Sequence, residues 1–312
     1  MSFKITNKKE SIRDGLGRAV AEMDLDPDIV VVVADLGKSI GLDTFSDNTR
    51  YIECGIAEAN MVTVATGIAL SGKKAICGSF ASFIPGRAYD QIRTSVCIEN
   101  ANVKLIGGHT GFSWSADGAQ VQSFEDVALM RILPNMKVYV PCCASEAEIM
   151  AKLMMDEYGP AYLRVEREAT LDYEISDYEL GKAHVIREGK DVTILGMGSI
   201  VSEAYIAAEK LSSELGIEAE VINVSCIKPL DKETILESVK KTGKVLVVEE
   251  HQKAGGLYSL ISELFASELP TKVYSISMND SFGESARCSK ELRDKYGLSS
   301  DNIFNIVSKI LI

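Results

Sequence analysis

Two spacings of apolar residues alternate along the chain. Residues 29–34, 75–77, 103–106, 138–140 and 161–165 are short, mostly unbroken apolar runs of strand length, as expected of strands buried on both faces. Between them apolar residues recur three or four apart. Ile12, Leu16, Ala19, Val20 and Met23 form one such stripe, which predicts a helix over residues 7–23 ended by Asp24-Leu25-Asp26-Pro27. In residues 54–72, Ile56, Met61, Val62, Ala65, Gly67, Ile68 and Leu70 predict a largely buried helix that carries Glu58 in its first turn. Residues 87–100 and 145–156 predict two more helices. From 168 to 190 the chain turns acidic and weakly periodic, predicting a linker with a short extended piece near His184-Val185-Ile186. The rhythm then resumes, with strands at 192–196, 219–224, 244–249 and 271–276 and helices at 202–215, 231–242 and 256–267. Such alternation predicts an α/β fold of two domains, each a mostly parallel sheet flanked by helices, with boundaries at 1–175, a linker at 176–190 and a second domain at 191–312.

Composition narrows the function. A chain of 312 residues with 46% apolar and 25% charged residues is globular, and its net charge of -12 argues against nucleic acid or an anionic membrane as partner. No run approaches eighteen uncharged apolar residues, and Met1-Ser2-Phe3-Lys4-Ile5-Thr6 carries no apolar leader, so a cytoplasmic protein is expected. Cysteines at 54, 77, 97, 142, 143, 226 and 288 contain no C-x-x-C pair and read as reduced thiols. They support neither a disulfide frame nor a zinc site.

Several residues carry candidate chemistry, each with a bland reading beside it. Glu58 has no Lys or Arg within helical reach, so it is either a charge favoured at a helix N-terminus or an acid held for catalysis. Asp35 ends the first apolar run, at the strand edge where open α/β sheets bind ligands. Gly107-Gly108-His109-Thr110-Gly111 is a small-residue loop after a strand, but neither a Walker loop nor G-x-G-x-x-G. Phe80 and Phe83 fit either core packing or stacking on a flat heterocycle. Asp117-Gly118 reads as a turn. Arg164 and Arg167, beside Glu166 and Glu168, are either locally paired or an anion clamp.

Taken in order, Asp35-Leu36, Gly55-Ile56-Ala57-Glu58, Ser79-Phe80-Ala81-Ser82-Phe83, Arg87-Ala88-Tyr89-Asp90-Gln91, His109, Asp117-Gly118-Ala119 and Arg164 to Arg167 resemble the pyrimidine-binding domain of transketolases. Glu249-Glu250-His251-Gln252 and Phe282-Gly283-Glu284-Ser285 resemble the transketolase C-terminal domain. The Gly-Asp-Gly segment and following Asn of the family's magnesium–diphosphate site are missing. The resemblance therefore implies the C-terminal subunit of a split transketolase, its partner an N-terminal subunit that carries the diphosphate and Mg2+ site. It implies thiamine diphosphate as cofactor, Mg2+ bound mainly by the partner, and a heterotetramer of two chains of each kind.

The resemblance also implies roles. Glu58 matches the acid that hydrogen-bonds N1′ of the aminopyrimidine, Phe83 the ring that stacks on it with Phe80 alongside, and Asp35 an acid near the cofactor. Arg13, Ser39, His109 and Arg167 match the group that holds the terminal phosphate of a sugar, for which a sulfonate is a geometric substitute, and Asp117 the acid that reads a donor hydroxyl. Glu58 and His109 are the expected catalytic residues. The implied reaction moves a two-carbon ketol unit from a ketose phosphate or sulfo-sugar to an aldose. Two departures stand out: Val121 replaces a family histidine, and Ile56, Ala57 and Ala59 replace the usual Arg and His around the glutamate. The rival expectations are a 1-deoxyxylulose-5-phosphate synthase-like enzyme, a 2-oxoacid dehydrogenase β chain, and a non-catalytic scaffold subunit.

Overall fold

The computed structural model describes residues 3–45 and 49–311; Met1 and Ser2, where a leader would begin, lie outside the described residues. The first half runs β1 (Phe3–Ser11), α1 (Ile12–Met23), β2 (Ile29–Val33), β3 (Tyr51–Glu53), α2 (Glu58–Leu70), β4 (Lys74–Phe80), α3 (Ile84–Gln91), β5 (Val103–Gly108), α4 (Asp126–Arg131), β6 (Lys137–Tyr139), α5 (Ala144–Asp156), β7 (Ala161–Arg164) and β8 (Ala169–Ile175). The second runs β9 (His184–Arg187), β10 (Val192–Met197), α6 (Ile200–Leu215), β11 (Ala219–Asn223), β12 (Cys226–Lys228), α7 (Lys232–Thr242), β13 (Val245–Gln252), α8 (Leu257–Glu268), β14 (Val273–Met278), α9 (Ser289–Tyr296) and α10 (Ser300–Leu311).

A seven-stranded sheet has the order β12-β6-β7-β5-β4-β2-β3, and a five-stranded sheet the order β14-β13-β10-β11-β9. Each is parallel except for one edge strand, β12 against β6 and β9 against β11. The fold is the expected α/β arrangement of mostly parallel sheets flanked by helices. The unbroken apolar runs have a direct cause, because alternate residues of one strand enter different cores. Val31, Val33, Ile76 and Ile106 pack with Ile12, Leu16 and Val20 of α1 and with Met150 of α5. Val32, Cys77 and Leu105 pack on the other face with Met61, Val62 and Ala65 of α2. Among the described residues no helix is long and apolar enough to cross a membrane.

The structure corrects four readings. The helix expected from residue 7 starts at Ile12, because residues 3–11 form a strand that pairs antiparallel with β8, Ser11 opposite Ala169. The stretch read as linker from 168 contains β8 itself. Its buried Thr170 and Asp172 are polar, which hid the strand; Thr170 bonds Ser202 and Asp172 accepts from the Ser145 hydroxyl at 2.8 Å. The helix expected from residue 87 begins at Ile84, with Pro85 in its first turn, and continues as a π-helical turn over Ile92–Cys97. Finally, α2 is buried on one side only, and Ile56 ahead of it and Leu70 at its end are 76% and 57% exposed.

Candidate active site

The carboxyl ends of β2, β4, β5 and β7 lie together and carry Asp35, Phe80, His109 and Arg167 at or just beyond them, the edge at which open α/β sheets hold ligands. Asp35 and His109 both adopt the left-handed backbone region, with φ of 64° and 58°. Non-glycine residues seldom occupy it without local constraint. Part of that constraint is Glu53, whose Oε1 accepts from the backbone N–H of Asp35 at 2.8 Å and of Gly55 at 2.7 Å. Glu53 thereby joins the end of β2 to the turn that opens α2.

Glu58 begins α2 and is only 4% exposed. Its neutralising cation comes from another helix: Arg87 of α3 donates from Nη1 to Glu58 Oε1 at 2.9 Å. The same guanidinium lies 3.9 Å over the centroid of Phe83, and Phe83 stacks with Phe80 at 5.7 Å. Phe80 meets the His109 ring at 4.1 Å, His109 meets Trp114 edge-on at 5.5 Å, and Arg167 lies 3.7 Å over the Trp114 ring. A continuous file of flat groups thus runs from Glu58 to Arg167. Trp114 also donates its indole N–H to Asp117 Oδ2 at 2.5 Å.

Three concavities lie along this region. One of about 270 Å³ is lined by Asp35, Glu58, Phe80, Phe83, Arg87, Asp117 and Val121. A larger one of about 660 Å³ holds Arg13, Lys38 and Ser39, and a third of about 320 Å³ holds Trp114, Arg167 and Arg287. The four residues expected to grip the sugar's terminal anion therefore do not share one cavity. Arg13 donates to the Ser39 backbone carbonyl at 3.3 Å and also pairs with Asp14, so the Ser39 hydroxyl is not what it holds. The cluster is nevertheless electrostatically coupled. Burial, then Arg167 and Arg13, push the His109 imidazole down to about 3, and burial and Arg13 lower Arg167. A gathering of cations that disfavour one another is what an anion would relieve.

His109 is 3% exposed, and its Nδ1 has no hydrogen-bond partner. Its lowered value keeps the ring neutral at physiological pH, so what it offers is hydrogen bonding rather than charge. Val121 is 8% exposed and packs into the core that includes Phe80 and Ile106, offering no polar atom to the cavity. Of the two arginines that look alike in sequence, Arg164 is wholly buried. It binds Asp126 at 2.9 Å and the Glu250 carbonyl at 2.9 Å, joining the two halves of the chain rather than facing a cavity.

Sequence reasoning missed Glu53, Arg87 as an individual residue, and Trp114. Arg87 opens the stretch Arg87-Ala88-Tyr89-Asp90-Gln91, but only its packing shows the pairing with Glu58. Trp114 offered one signal, as the single tryptophan five residues after His109. Among the described residues no cluster of three or more His, Cys, Asp or Glu side chains is arranged to hold a metal ion. For a flat heterocycle the fit is good: the 270 Å³ cavity offers an aromatic wall and a buried carboxylate at its edge.

Residues 8–171 match the family model of the transketolase pyrimidine-binding domain and residues 181–303 that of the transketolase C-terminal domain. The chain is 37% identical to the 6-deoxy-6-sulfo-D-fructose transketolase subunit SqwH of Clostridium sp. (strain MSTE9), over 91% of this chain and 89% of that one. It is 38% identical to an apulose-4-phosphate transketolase subunit of Phocaeicola vulgatus, over 89% of this chain and 90% of that one. A split-gene transketolase solved as an inactive β4 tetramer superposes with a TM-score of 0.86 at 36% identity, covering 97% of this chain and 99% of the other. Matched in these ways across both of its halves, the chain belongs to the transketolase family and is a transketolase subunit made of the pyrimidine-binding and C-terminal domains.

Proposed function

We propose that this subunit joins a separate diphosphate-binding subunit, in a heterotetramer in the cytoplasm, to transfer a two-carbon ketol unit from an anionic ketose to an aldose. The observation that carries the reading is the burial of Glu58 beside Phe83 at the sheet's ligand-binding edge. Thiamine diphosphate, the family's cofactor, acts when bound as an electron sink for carbon–carbon bond cleavage. Its Mg2+ would be held mainly by the partner. Glu58 would hold N1′ of the aminopyrimidine and the proton on it, with Phe83 and Phe80 as the wall and Asp35 at the rim. Exclusion of water around Glu58 strengthens its hydrogen bonds to a bound ring.

His109 would meet a substrate hydroxyl through its unpartnered Nδ1. Arg167 would bind the sugar's terminal group, with Arg13 and Ser39 supporting it from a separate concavity. The substrates in the relatives' names, a sulfo-sugar and a sugar phosphate, share a tetrahedral anion, which a guanidinium fork matches. Asp117 would face the donor hydroxyls, with Val121 leaving the family histidine's hydrogen bond unmade. Of the rival expectations, decarboxylation of pyruvate requires no cage for a second anion of this kind.

The test is reconstitution. The chain mixed with its diphosphate-binding partner, magnesium and thiamine diphosphate should transfer ketol units from a ketose phosphate or sulfonate. Carbon dioxide release from pyruvate with no ketol transfer would sink the reading. Glu58→Ala should lower kcat by at least about a hundredfold, the low end for loss of a group that handles a proton. Cofactor affinity, followed by calorimetry, should weaken in parallel.

A further inference from the structure

We infer that Trp114 governs substrate selection in this site, holding the Arg167 fork toward the sugar's terminal anion while weakening Asp117's hold on the donor hydroxyl by occupying one of its carboxylate oxygens. The inference rests on the transketolase reading and adds to it the residue through which three substrate-facing groups act together.

Trp114 touches all three. The Arg167 guanidinium lies 3.7 Å over its ring, its Nε1–H donates to Asp117 Oδ2 at 2.5 Å, and His109 packs against it at 5.5 Å. A guanidinium stacked on an indole keeps its N–H groups in the plane and directed away from the ring, where they can fork onto a tetrahedral anion. Among the described residues Arg167 forms no salt bridge; Glu168 attracts it electrostatically, and the indole ring is the group it stacks on. Arg287, from the second half of the chain, lines the same 320 Å³ concavity and adds a second cation there, beside Glu168, whose carboxylate accepts from the Ser289 backbone N–H at 3.4 Å.

The opposite end of the indole weakens a recognition element. Asp117 is exposed, and one of its carboxylate oxygens is taken by the indole N–H. The neighbouring candidate for reading a hydroxyl, position 121, is a buried valine. One group has an oxygen engaged and its charge shared with the indole N–H, and the other is apolar. Selection therefore falls on the terminal anion and on the neutral His109, and little on the configuration of the hydroxyl next to the transferred unit. The chemical class favoured is a ketose ending in phosphate or sulfonate, with tolerance between hydroxyl epimers.

Two variants separate the two contacts. Trp114→Phe keeps a ring beneath Arg167 and deletes the N–H, whereas Trp114→Leu deletes both. In the reconstituted complex, Trp114→Leu should raise KM for a phosphorylated donor roughly tenfold, the scale of a partly desolvated cation–π contact. KM for the unphosphorylated donor should move little, and the loss should fall on KM more than on kcat. Trp114→Phe should hold the phosphorylated preference to within about twofold while releasing Asp117. Discrimination between epimeric donors should then rise several-fold and disappear again in the Trp114→Phe/Asp117→Asn double variant. If Trp114→Leu changed both donors equally, or Trp114→Phe left epimer discrimination untouched, the inference would be overturned with the function intact.

A second readout does not need catalysis. Because the chain has one tryptophan, its emission reports on this position alone. Titration of the full chain with inorganic phosphate should change that emission in wild type and in Asp117→Asn, and should not in Arg167→Ala. Emission indifferent to phosphate in wild type, or equally responsive in Arg167→Ala, would overturn the inference. A complex without ketol transfer but with the expected emission pattern would remove the proposed reaction and leave the Trp114–Arg167 anion grip supported.

Discussion

The Glu58 carboxylate is paired with one cation, and that cation is half in water: the Arg87 side chain is 49% exposed and the Glu58 side chain 4%. Replacing Arg87 by Met should leave the carboxylate buried and unpaired. The expected cost in unfolding free energy is about 1–3 kcal/mol, below the range for breaking a fully buried pair because Arg87 is partly solvated. Denaturant unfolding measures it, and Glu58→Gln in the same background should recover most of the loss. His109 gives a pH dependence of definite sign. Its folded value of about 3 lies below the ordinary value of 6.5, so its contribution is complete above about pH 6.5 and is lost as pH falls toward 3. His109→Gln should therefore lose up to about 2 kcal/mol less than wild type between pH 6.5 and 5. His184 and His251, also lowered by burial, keep their own acid sensitivity in both proteins. At this scale the sequence named Glu58 and His109 but not what surrounds them. Arg87 lies 29 residues from Glu58, and Arg164 and Arg167 carry identical local signals with opposite environments.

Elements were legible wherever burial and apolarity coincide. The parallel strands of both sheets are apolar because each inserts alternate side chains into two cores, a pattern that a sheet with one face in water would not give. β8 failed that test, since two of its buried residues, Thr170 and Asp172, are polar and are satisfied by partners across the fold; nothing in residues 169–175 announces Ser145 or Ser202. α9 is mostly polar and gives no comparable signal, whereas α10 carries a helical stripe of Ile303, Phe304, Val307 and Leu311 that was legible and that sequence reasoning missed. Helix packing supplies a sharper expectation. A Cβ on Gly15 of α1 would stand 1.9 Å from the Ala144 backbone oxygen, where α5 begins. Gly15→Ala must push the two helices apart, and it should cost about 2–3 kcal/mol despite alanine's better helix propensity. A melting temperature at or above that of wild type would show that the helices separate freely.

Across the whole molecule the halves are joined by charge and by chain. Arg164, Asp126, Glu166, Glu250, Arg293 and Ser199 form a buried network between them. Arg164→Met should cost about 3–5 kcal/mol, as removal of one member of a buried ionic set does. It should also split the single calorimetric transition expected of wild type into two, since the network couples the sheets. Neither feature was legible in sequence, where Arg164 and Glu250 stand 86 residues apart.

The edge of the seven-stranded sheet is closed by β12, which the chain supplies only after it has laid down the first three strands of the other sheet. A fragment ending near residue 175 would leave β6 with unpaired amides, a template for association with other chains. The two halves are consequently not interchangeable modules. A chimera that borrows its C-terminal portion from a relative imports the last strand of its own first sheet, and its solubility will depend on how that strand seats against β6.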